Sequence, residues 1–358
     1  MCYSALIKAE WHRYVREFGA QIGLEDYVRL FERRIADPKV KLPKATEAAF
    51  LAEPPPGEAG ARLLALIAEG RRVRAAELEA ELFAQRTRFV QAERDLALKP
   101  TKKASESRRI AGAKIEALRG RLADLQRSEL AEQDSRIFPG VYAPVLVVED
   151  GRRVVRPMRY QCRPAGKPAF HDQKFPGTYN ARRDSLGGYW KDLFGRHHGV
   201  LLIDAFYEHV DRGGRDAVLE FRPRTGQPMA VACLWSRWTA PGEPELLSFA
   251  AITDEPPPEV AAAGHDRCLV PLRAERLDEW LRPSGLRALR AGPPGRAPAA
   301  RRPAGRAGAA ALGAAAPPGR APGPPGRQGR AARRRLGPPP RQRLRAEGGG
   351  QRAAGRAG

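Results

Sequence analysis

Cys2 is the residue of this chain whose position could do unusual chemistry. If Met1 is removed as an initiator, Cys2 carries both a free α-amine and a thiol. An amine condenses with an aldehyde to a Schiff base, and a thiol two carbons away can close onto the imine carbon to give a five-membered thiazolidine. The α-amine titrates near ~7.7 to 8.0 and the thiol near ~8.5, so both nucleophilic forms exist at neutral pH. The position indicates an aldehyde trap, and the alternative is an ordinary residue in a first strand or a disordered end.

Other short motifs could place polar groups beside such a cysteine. Glu208 ends a strongly apolar strand, where an isolated carboxylate is costly, so it should have a partner or face a cleft. His265 follows a loop rich in Pro and Ala and precedes a strand, a typical place for site residues held on a rigid scaffold. Each motif taken alone also suits a cap, a surface ion pair or a satisfied polar side chain. The motifs are Tyr179-Asn180-Ala181-Arg182, Phe206-Tyr207-Glu208, Leu234-Trp235 and His265-Asp266-Arg267.

The order of these motifs, together with Met1-Cys2 and Ser248-Phe249, resembles the SOS-response-associated peptidase family of abasic-site-processing proteins. The resemblance covers residues 1 to about 50 and 136–282. It implies that Cys2, exposed by the protein itself or by an aminopeptidase, forms a stable thiazolidine crosslink with the ring-opened aldehyde of an abasic site in single-stranded DNA. It therefore implies an enzyme with peptidase activity on Met1 and lyase-like activity on DNA.

The resemblance also implies a role for each matching residue. Asn180 would position Cys2, Glu208 would protonate the sugar ring oxygen, and His265 would assist the Schiff-base chemistry. A carboxyl in an apolar setting favours its neutral form and can donate a proton, and an imidazole suits proton transfer near neutral pH. The expected DNA-binding residues, including tyrosines that could stack on bases, are Arg182, Pro139, Arg267, Tyr3, Tyr160 and Tyr179.

The chain departs from the family pattern near its start. Family members commonly begin Met-Cys-Gly-Arg, whereas Tyr3 and Ser4 follow the cysteine here. The arginine expected near the lesion phosphates is therefore missing, and another basic residue must take its place. The usual Trp-Gly-Leu-Ile-Pro stretch is Tyr160-Gln161-Cys162-Arg163-Pro164, His209 follows Glu208 in place of a tryptophan, and Cys268-Leu269 replaces Met-Pro after Arg267.

Two other functions fit the same residues. Cys2 could be the N-terminal nucleophile of a peptidase that acts on other proteins. Alternatively, the protein could bind nucleic acid or a partner without covalent chemistry, through its helical and basic segments. We expect a cytoplasmic monomer, associated with the nucleoid when crosslinked, with replication-fork proteins as further partners. Neither a membrane span nor a signal sequence is expected.

Cysteine spacing speaks against a metal site. The other cysteines, Cys162, Cys233 and Cys268, lie far apart without a Cys-x-x-Cys pair, which argues against zinc and against a disulfide framework. These three are expected to be small buried hydrophobic residues. We expect no metal or other cofactor.

Periodicity predicts an α+β fold in which residues 1–282 form one domain. Two short helices around Trp11 and Tyr27 are followed by an inserted antiparallel helical hairpin over residues 62–136, with a break at residues 99–103. The insertion could simply pack on the core, or serve as an arm for a partner or DNA. Beyond Phe138, strand patterns dominate, including a hairpin turning at Asp150-Gly151 and another joining residues 217–221 to 229–234. They predict a curled, mostly antiparallel sheet with peripheral helices.

The last 76 residues, 283–358, differ in composition from the rest. Ala, Arg, Pro and Gly fill 66 of these positions, with 17 Arg against one Glu. This tail holds most of the chain's net charge of +22, and it has too few apolar side chains to offset its conformational entropy. We expect it to be disordered. It is either a phosphate-binding arm or, as we prefer, the product of a shifted reading frame in GC-rich DNA.

Overall fold

The two short N-terminal helices and the helical hairpin lie where the hydrophobic periodicity places them, whereas the helices Lys44–Ala52, His171–Lys174 and Pro258–Ala262 were not predicted. A computed structural model describes residues 4–211, 214, 216–283 and 312–315, which fall within one compact unit. The helix Lys44–Ala52 was not predicted because its alanine-rich sequence has little amphipathic pattern. The helices are α1 (Trp11–Phe18), α2 (Leu24–Ala36), α3 (Lys44–Ala52), α4 (Gly57–Leu98), α5 (Lys102–Gln126), α6 (His171–Lys174), α7 (Pro258–Ala262) and α8 (Leu277–Leu281), with short 3₁₀ turns at Glu132–Ser135, Arg183–Ser185 and Ala274–Arg276.

The strands form a single sheet whose central members close on themselves. They are β1 (Ser4–Ile7), β2 (Gln21–Ile22), β3 (Arg136–Ile137), β4 (Tyr142–Glu149), β5 (Arg152–Tyr160), β6 (Asn180–Arg182), β7 (His198–Asp211), β8 (Asp216–Pro223), β9 (Met229–Ala240), β10 (Glu243–Asp254), β11 (Cys268–Leu269), β12 (Pro271–Leu272) and β13 (Leu312–Ala315). β7 pairs with β4 and β9, β9 with β10, β10 with β5, and β5 with β4, so these five strands form a barrel. This confirms the α+β class and the curled, mostly antiparallel sheet.

The inside of the barrel is filled by alternate residues of its strands. Burying each such Val, Leu or Phe side chain stabilises the fold by roughly 1.5–3 kcal/mol, so this set fixes the register of the sheet. The main members of the interior cluster are Val145, Val147, Met158, Leu201, Ile203, Val231, Cys233, Phe249 and Ala251.

Turn chemistry confirms one predicted hairpin. Asp150 and Gly151 have φ angles of 48° and 75°, and they join β4 to β5 with Glu149 opposite Arg152. Positive φ at both central residues gives a turn whose twist matches that of the strands.

The second predicted hairpin is wrong in its pairing. β8 and β9 do not pair with each other; β9 pairs with residues 198–203 of β7 and β8 with residues 206–211. β7 is long enough for both strands to lie along one of its edges.

The helical hairpin is confirmed, with a longer first helix than predicted. α4 begins at Gly57, directly after Pro54-Pro55-Pro56, and its 42 residues span about 63 Å. Its first half packs on α2 and α3 through a cluster that includes Leu63, Ile67 and Phe50. Its second half pairs with α5 along a seam of Leu78, Leu82, Ile115 and Leu118. None of the described helices is both long and apolar enough to cross a membrane.

The C-terminal tail differs from the expectation at one place. Residues 312–315 form β13, which pairs antiparallel with Glu220–Pro223 of β8. A sheet ladder uses main-chain groups, so a segment of Leu, Gly and Ala can supply it. The other tail residues, 284–311 and 316–358, lie outside the described part of the chain.

His198 joins the barrel to α8 and should make stability depend on pH. Its Nδ1 lies 2.8 Å from the Trp280 carbonyl oxygen, and its Nε2 accepts the Gly195 N–H at 2.8 Å, which together require the neutral ring. Burial lowers the pKa of His198 to about 4. The unfolded chain therefore gains a proton as pH falls below about 6.5, while the folded protein gains it only near 4. We expect up to about 3 kcal/mol of unfolding free energy to be lost across that interval.

Urea unfolding at several pH values between about 7 and 4 measures this loss. His198→Asn should flatten the dependence on pH, whereas His209→Asn, a change at an exposed position of the same strand, should retain it. If the unfolding free energy of the His198→Asn protein depends on pH as strongly as that of the wild type, another residue takes up the proton.

Candidate functional site

Glu208 is buried inside the barrel because β7 contains a bulge. Leu6 pairs with Ala205 but Ile7 pairs with Ile203, so Asp204 is one extra residue in the strand. One inserted residue exchanges the two faces of everything that follows it. Strict alternation after Leu201 and Ile203 would have placed Glu208 on the opposite face of β7. The bulge instead puts it among core residues, between Phe206 and Val210, with no solvent exposure.

The bulge is held by a charged contact. The Asp204 carboxylate accepts a salt bridge from Lys8 Nζ at 2.6 Å, and the Lys8 N–H donates to the Leu202 carbonyl at 3.0 Å. The residue after β1 therefore fixes the point at which β7 changes face.

His265 faces the Glu208 carboxyl. Gly264, with φ of 95°, turns the chain out of α7 and into His265, which is buried. Its Nε2 lies 3.2 Å from Glu208 Oε2 and its Nδ1 lies 2.8 Å from the Arg267 carbonyl oxygen. The Arg267 N–H is farther from the same nitrogen, at 3.2 Å. The shorter contact favours an N–H on Nδ1, since a carbonyl can only accept.

The distance between Glu208 and His265 suits the transfer of one proton between them. Burial lowers the pKa of His265, which favours the neutral ring. A neutral ring with hydrogen on Nδ1 presents the lone pair of Nε2 to the carboxyl, and a protonated ring donates to the carboxylate. Both states use the same 3.2 Å contact, so the pair can release or accept a proton with little movement.

Asn180 and Arg182 lie at the same end of the sheet as the segment after His265. β6 pairs in parallel with β10, with Arg182 beside Thr253, and β11 pairs with the same end of β10, with Leu269 beside Thr253. Arg182 is exposed and donates to the Asp184 carboxylate at 2.6 Å. This hydrogen bond is the main cause of the lowered pKa of Asp184, and the charge of Arg267 contributes to it. The two expected DNA-binding arginines thus share one acidic neighbour.

Tyr160 and Tyr179 support Asn180 from within the core. Tyr160 donates from its hydroxyl to Asn180 Oδ1 at 3.4 Å, and its ring stacks on Phe249 at 5.2 Å. The two tyrosines are only 2% and 8% exposed. These placements do not suit the base-stacking role expected for them, because neighbouring side chains already cover the rings. Pro139 is half-buried, in the turn between β3 and β4 beside exposed Phe138.

The start of β1 lies directly beside the Glu208 segment. Ser4 is opposite Tyr207 in the antiparallel ladder. Cys2 and Tyr3 lie outside the described residues, so their expected roles stay predictions. The three other cysteines are buried free thiols, as predicted. Burial raises the pKa of both Cys162 and Cys268 to about 12, so these thiols stay protonated and unreactive near neutral pH.

Arg136 is a basic residue at this site that sequence reasoning missed. Its guanidinium donates to the Ser4 hydroxyl through Nε at 3.1 Å and Nη2 at 2.9 Å, and lies 3.7 Å from the centre of the Tyr207 ring. The Tyr207 hydroxyl in turn donates to Glu132 at 2.7 Å. The sequence carries no signal for this contact, because the helical hairpin separates Arg136 from Ser4 by 132 positions. Within the described residues no cluster of His, Cys, Asp and Glu is arranged to hold a metal ion.

Comparison with known proteins gives the family. The sequence model of the SOS response associated peptidase (SRAP) family matches residues 102–292, more than half of the 358 residues. This chain belongs to the SOS response associated peptidase family. Membership supports a function associated with the SOS response and with abasic sites, and a general role in peptidase or DNA-processing chemistry that involves DNA.

Three solved structures show similarity to parts of the chain. A protein from Bordetella bronchiseptica is 21% identical, with a TM-score of 0.37 over 41% of this chain and 75% of that one. A protein from Bacteroides thetaiotaomicron is 16% identical, with a TM-score of 0.39 over 45% and 72%. A phage-related protein from Bordetella bronchiseptica is 22% identical, with a TM-score of 0.32 over 45% and 76%. No curated protein matches the chain.

Proposed function

We propose that this protein traps abasic sites in single-stranded DNA through Cys2 once Met1 has been removed. The observation that carries the proposal is the buried Glu208–His265 pair at the end of the strand that pairs with β1. A buried acid and imidazole 3.2 Å apart in a DNA-processing family suit proton transfer to a sugar rather than a structural ion pair, which usually lies at the surface.

The length of chain before β1 supports a place for Cys2 near this pair. The Cα atoms of residues paired across an antiparallel ladder lie about 4.5–5.5 Å apart, so Ser4 is one such step from Tyr207, the neighbour of Glu208. Two further residues toward the N-terminus span at most roughly 7 Å. The α-amine and thiol of Cys2 can therefore share one nucleotide with Glu208 and His265.

The proposed chemistry proceeds in balanced steps. Glu208 donates a proton to the ring oxygen of the abasic sugar, the ring C–O bond breaks, and C1′ becomes an aldehyde as its hydroxyl proton is lost to the site. The Cys2 amine attacks that carbon, and loss of water leaves a Schiff base. The thiol then adds across the C=N bond, its sulfur to carbon and its proton to nitrogen, which closes the thiazolidine. His265 returns protons to Glu208 between steps.

Asn180 suits the orientation of the reacting groups. It is buried at the start of β6, and its carboxamide oxygen is held by the Tyr160 hydroxyl. A fixed amide can hold an amine or a sugar hydroxyl in a single direction, which contributes through pre-organisation. We propose that its part is to position Cys2.

We further propose that Arg136 supplies the basic charge that Ser4 lacks. The guanidinium is fixed between the Ser4 hydroxyl and the Tyr207 ring, close to where the family pattern has an arginine side chain. Arg136→Ala should weaken binding of single-stranded DNA and reduce the slope of log Kd against log salt by about 0.7, the value for one phosphate contact. Fluorescence anisotropy over a range of salt concentrations measures both quantities.

Two variants separate charge from structure at this position. Ser4→Ala removes the hydroxyl but keeps the guanidinium, so it should leave the salt slope unchanged. Arg237→Ala removes an exposed arginine of β9 that pairs with Glu149 and Glu245, and should have no effect. An Arg136→Ala slope equal to that of the wild type would remove Arg136 from the phosphate-binding residues.

The proposed function is tested by a denaturing gel. Protein whose N-terminus is verified by intact mass is mixed with an abasic single-stranded oligonucleotide and, separately, with the undamaged sequence. We expect a heat-resistant adduct with the abasic strand only, and tryptic mass spectrometry should locate it on the peptide that begins at Cys2. Turnover of a peptide library without any adduct would instead favour a peptidase acting on other proteins.

A further inference from the structure

The segment between β5 and β7 carries a concentration of exposed aromatic rings. Phe170 is 61% exposed, and Phe175 and Tyr189 are each 44% exposed. They are three of the five large aromatic side chains that are exposed among the described residues, the others being Phe83 and Phe138. The segment has no exposed large aliphatic side chain among its described residues, so its apolar surface consists of flat rings. We name Phe170, Phe175 and Tyr189 the aromatic platform.

The platform is built on a rigid support. Buried His171 packs between two of its rings, with centroid distances of 4.8 Å to Phe175 and 6.3 Å to Tyr189. The Tyr189 hydroxyl lies 2.9 Å from His171 Nε2, and the Phe175 N–H donates to the His171 carbonyl at 2.8 Å. Since His171 contacts the rings of Phe175 and Tyr189, the exposed faces of these two rings are fixed in position before any ligand binds.

His171 adds a polar group to the same place. Burial lowers the pKa of His171, so the ring is neutral near pH 7. When the Tyr189 hydroxyl donates to Nε2, the hydrogen of the ring is on Nδ1, which is buried and has no hydrogen-bond partner among the described residues. A buried donor of this kind is costly unless a ligand or water accepts from it.

The same segment is rich in basic side chains. Between residues 161 and 197 there are seven Lys and Arg against three Asp. Lys167, Lys174 and Lys191 are exposed, and Lys174 Nζ lies 5.6 Å from the centre of the Phe175 ring. With seven basic and three acidic side chains, the segment has a net charge of +4. The surface therefore favours an anion that also has flat apolar faces.

The platform flanks β6 along the chain. β6 lies between its two parts, since Phe175 comes five residues before Asn180 and Tyr189 comes seven residues after Arg182. The turn at Phe175 is tied to β6 by the Thr178 hydroxyl, which donates to the Phe175 carbonyl at 3.2 Å. Arg182 and the rings thus lie on the same short stretch of chain.

We propose that Phe170, Phe175 and Tyr189 are a stacking platform for the bases next to the lesion, with the surrounding lysines on the phosphates. This inference rests on the proposed function, because it takes single-stranded DNA as the ligand. Stacking on an aromatic face accepts any base, so the platform provides affinity without sequence preference. The absence of exposed aliphatic side chains from the described segment favours nucleic acid over a protein partner, whose interface would need them.

The test is binding of an undamaged, fluorescein-labelled single-stranded oligonucleotide, followed by anisotropy. Phe175→Ala and Tyr189→Ala should each weaken binding by roughly 5- to 100-fold, the range for loss of one base–aromatic stack. Phe175→Trp should retain affinity and show fluorescence quenching on binding, whereas Phe175→Leu, which keeps an apolar side chain without a π face, should not retain it. Tyr189→Phe should stay close to the wild type.

The matched control is Phe83→Ala, which removes an exposed phenylalanine, 74% exposed, from the helical hairpin. It should leave the dissociation constant unchanged. Circular dichroism and thermal unfolding verify that each variant folds. Correctly folded Phe175→Ala and Tyr189→Ala proteins with wild-type affinity would overturn the platform.

The outcomes also separate the platform from the proposed function. Binding to undamaged DNA does not require Cys2. If the platform variants bind undamaged DNA more weakly but the wild-type protein forms no adduct, the stacking proposal is supported and the crosslink proposal is refuted. Normal binding in these variants, together with a normal adduct, would reject the platform and keep the crosslink.

Discussion

Protein carrying Cys2→Ala is expected to form no heat-resistant adduct with an abasic single-stranded oligonucleotide, whereas the wild-type chain forms one. Alanine retains the α-amine after Met1 is removed, so a Schiff base can still form, but it has no thiol to close the thiazolidine. The Schiff base is hydrolysed when the protein is denatured. Reduction with sodium borohydride before denaturation should therefore trap an adduct of the Cys2→Ala protein, which separates the part played by the amine from that of the thiol.

Buried thiols supply the control for this experiment. Cys268→Ala removes a thiol whose burial raises its pKa to about 12, and it should form the adduct as the wild type does. A heat-resistant adduct of full intensity in the Cys2→Ala protein would refute the thiazolidine. Loss of the adduct in the Cys268→Ala protein alone would indicate that the nucleophile is Cys268, in the interior of the barrel.

Glu208→Gln is expected to slow adduct formation by roughly 100- to 10,000-fold, the usual contribution of a positioned acid or base. Glutamine keeps the shape of the side chain and can hydrogen-bond to His265 Nε2, 3.2 Å from Glu208 Oε2 in the structure, but it cannot donate a proton to the ring oxygen of the sugar. Quenched time courses on denaturing gels measure the rate with a closed-ring abasic site.

A second substrate identifies the step that Glu208 serves. An aldehyde that cannot form a sugar ring needs no ring opening, so its capture by the Glu208→Gln protein should fall much less than capture of the abasic site. Glu259→Gln changes a half-buried carboxylate of α7, a few residues before His265, and should leave both rates unaltered. Equal rates of the Glu208→Gln and wild-type proteins with the abasic site would remove Glu208 from the reaction.

The individual residues of the site could be predicted from the sequence, but not the contacts between them. Glu208 was a candidate because a carboxyl at the end of an apolar run requires compensation, and His265 because it follows a loop and precedes a strand. The structure brings these two residues into contact across 57 positions of the chain. Tyr160 and Tyr179 were predicted as stacking residues from their motifs alone, and their burial under Phe249 and other core residues depends on packing that no local pattern reports.

Arg136 and the aromatic platform illustrate the opposite case. Nothing in the sequence near Arg136 points to Ser4, because their contact depends on β1 and β3 meeting after the helical hairpin returns to the barrel. Phe175 and Tyr189 look like ordinary apolar residues in the sequence. Only their exposure, and their common contact with His171, distinguishes them from core residues.

The sequence by itself determined the elements whose cause is local. Hydrophobic periodicity and turn chemistry gave the helical hairpin, the Asp150-Gly151 turn and the buried strands. The tertiary structure alone decided which strands pair and which face Glu208 occupies. One extra residue at Asp204 turns that carboxyl inward, and Lys8, which directly follows a strand about 200 positions away, anchors the bulge. Contacts between distant segments set the register of a sheet, and a shift of one residue exchanges its faces.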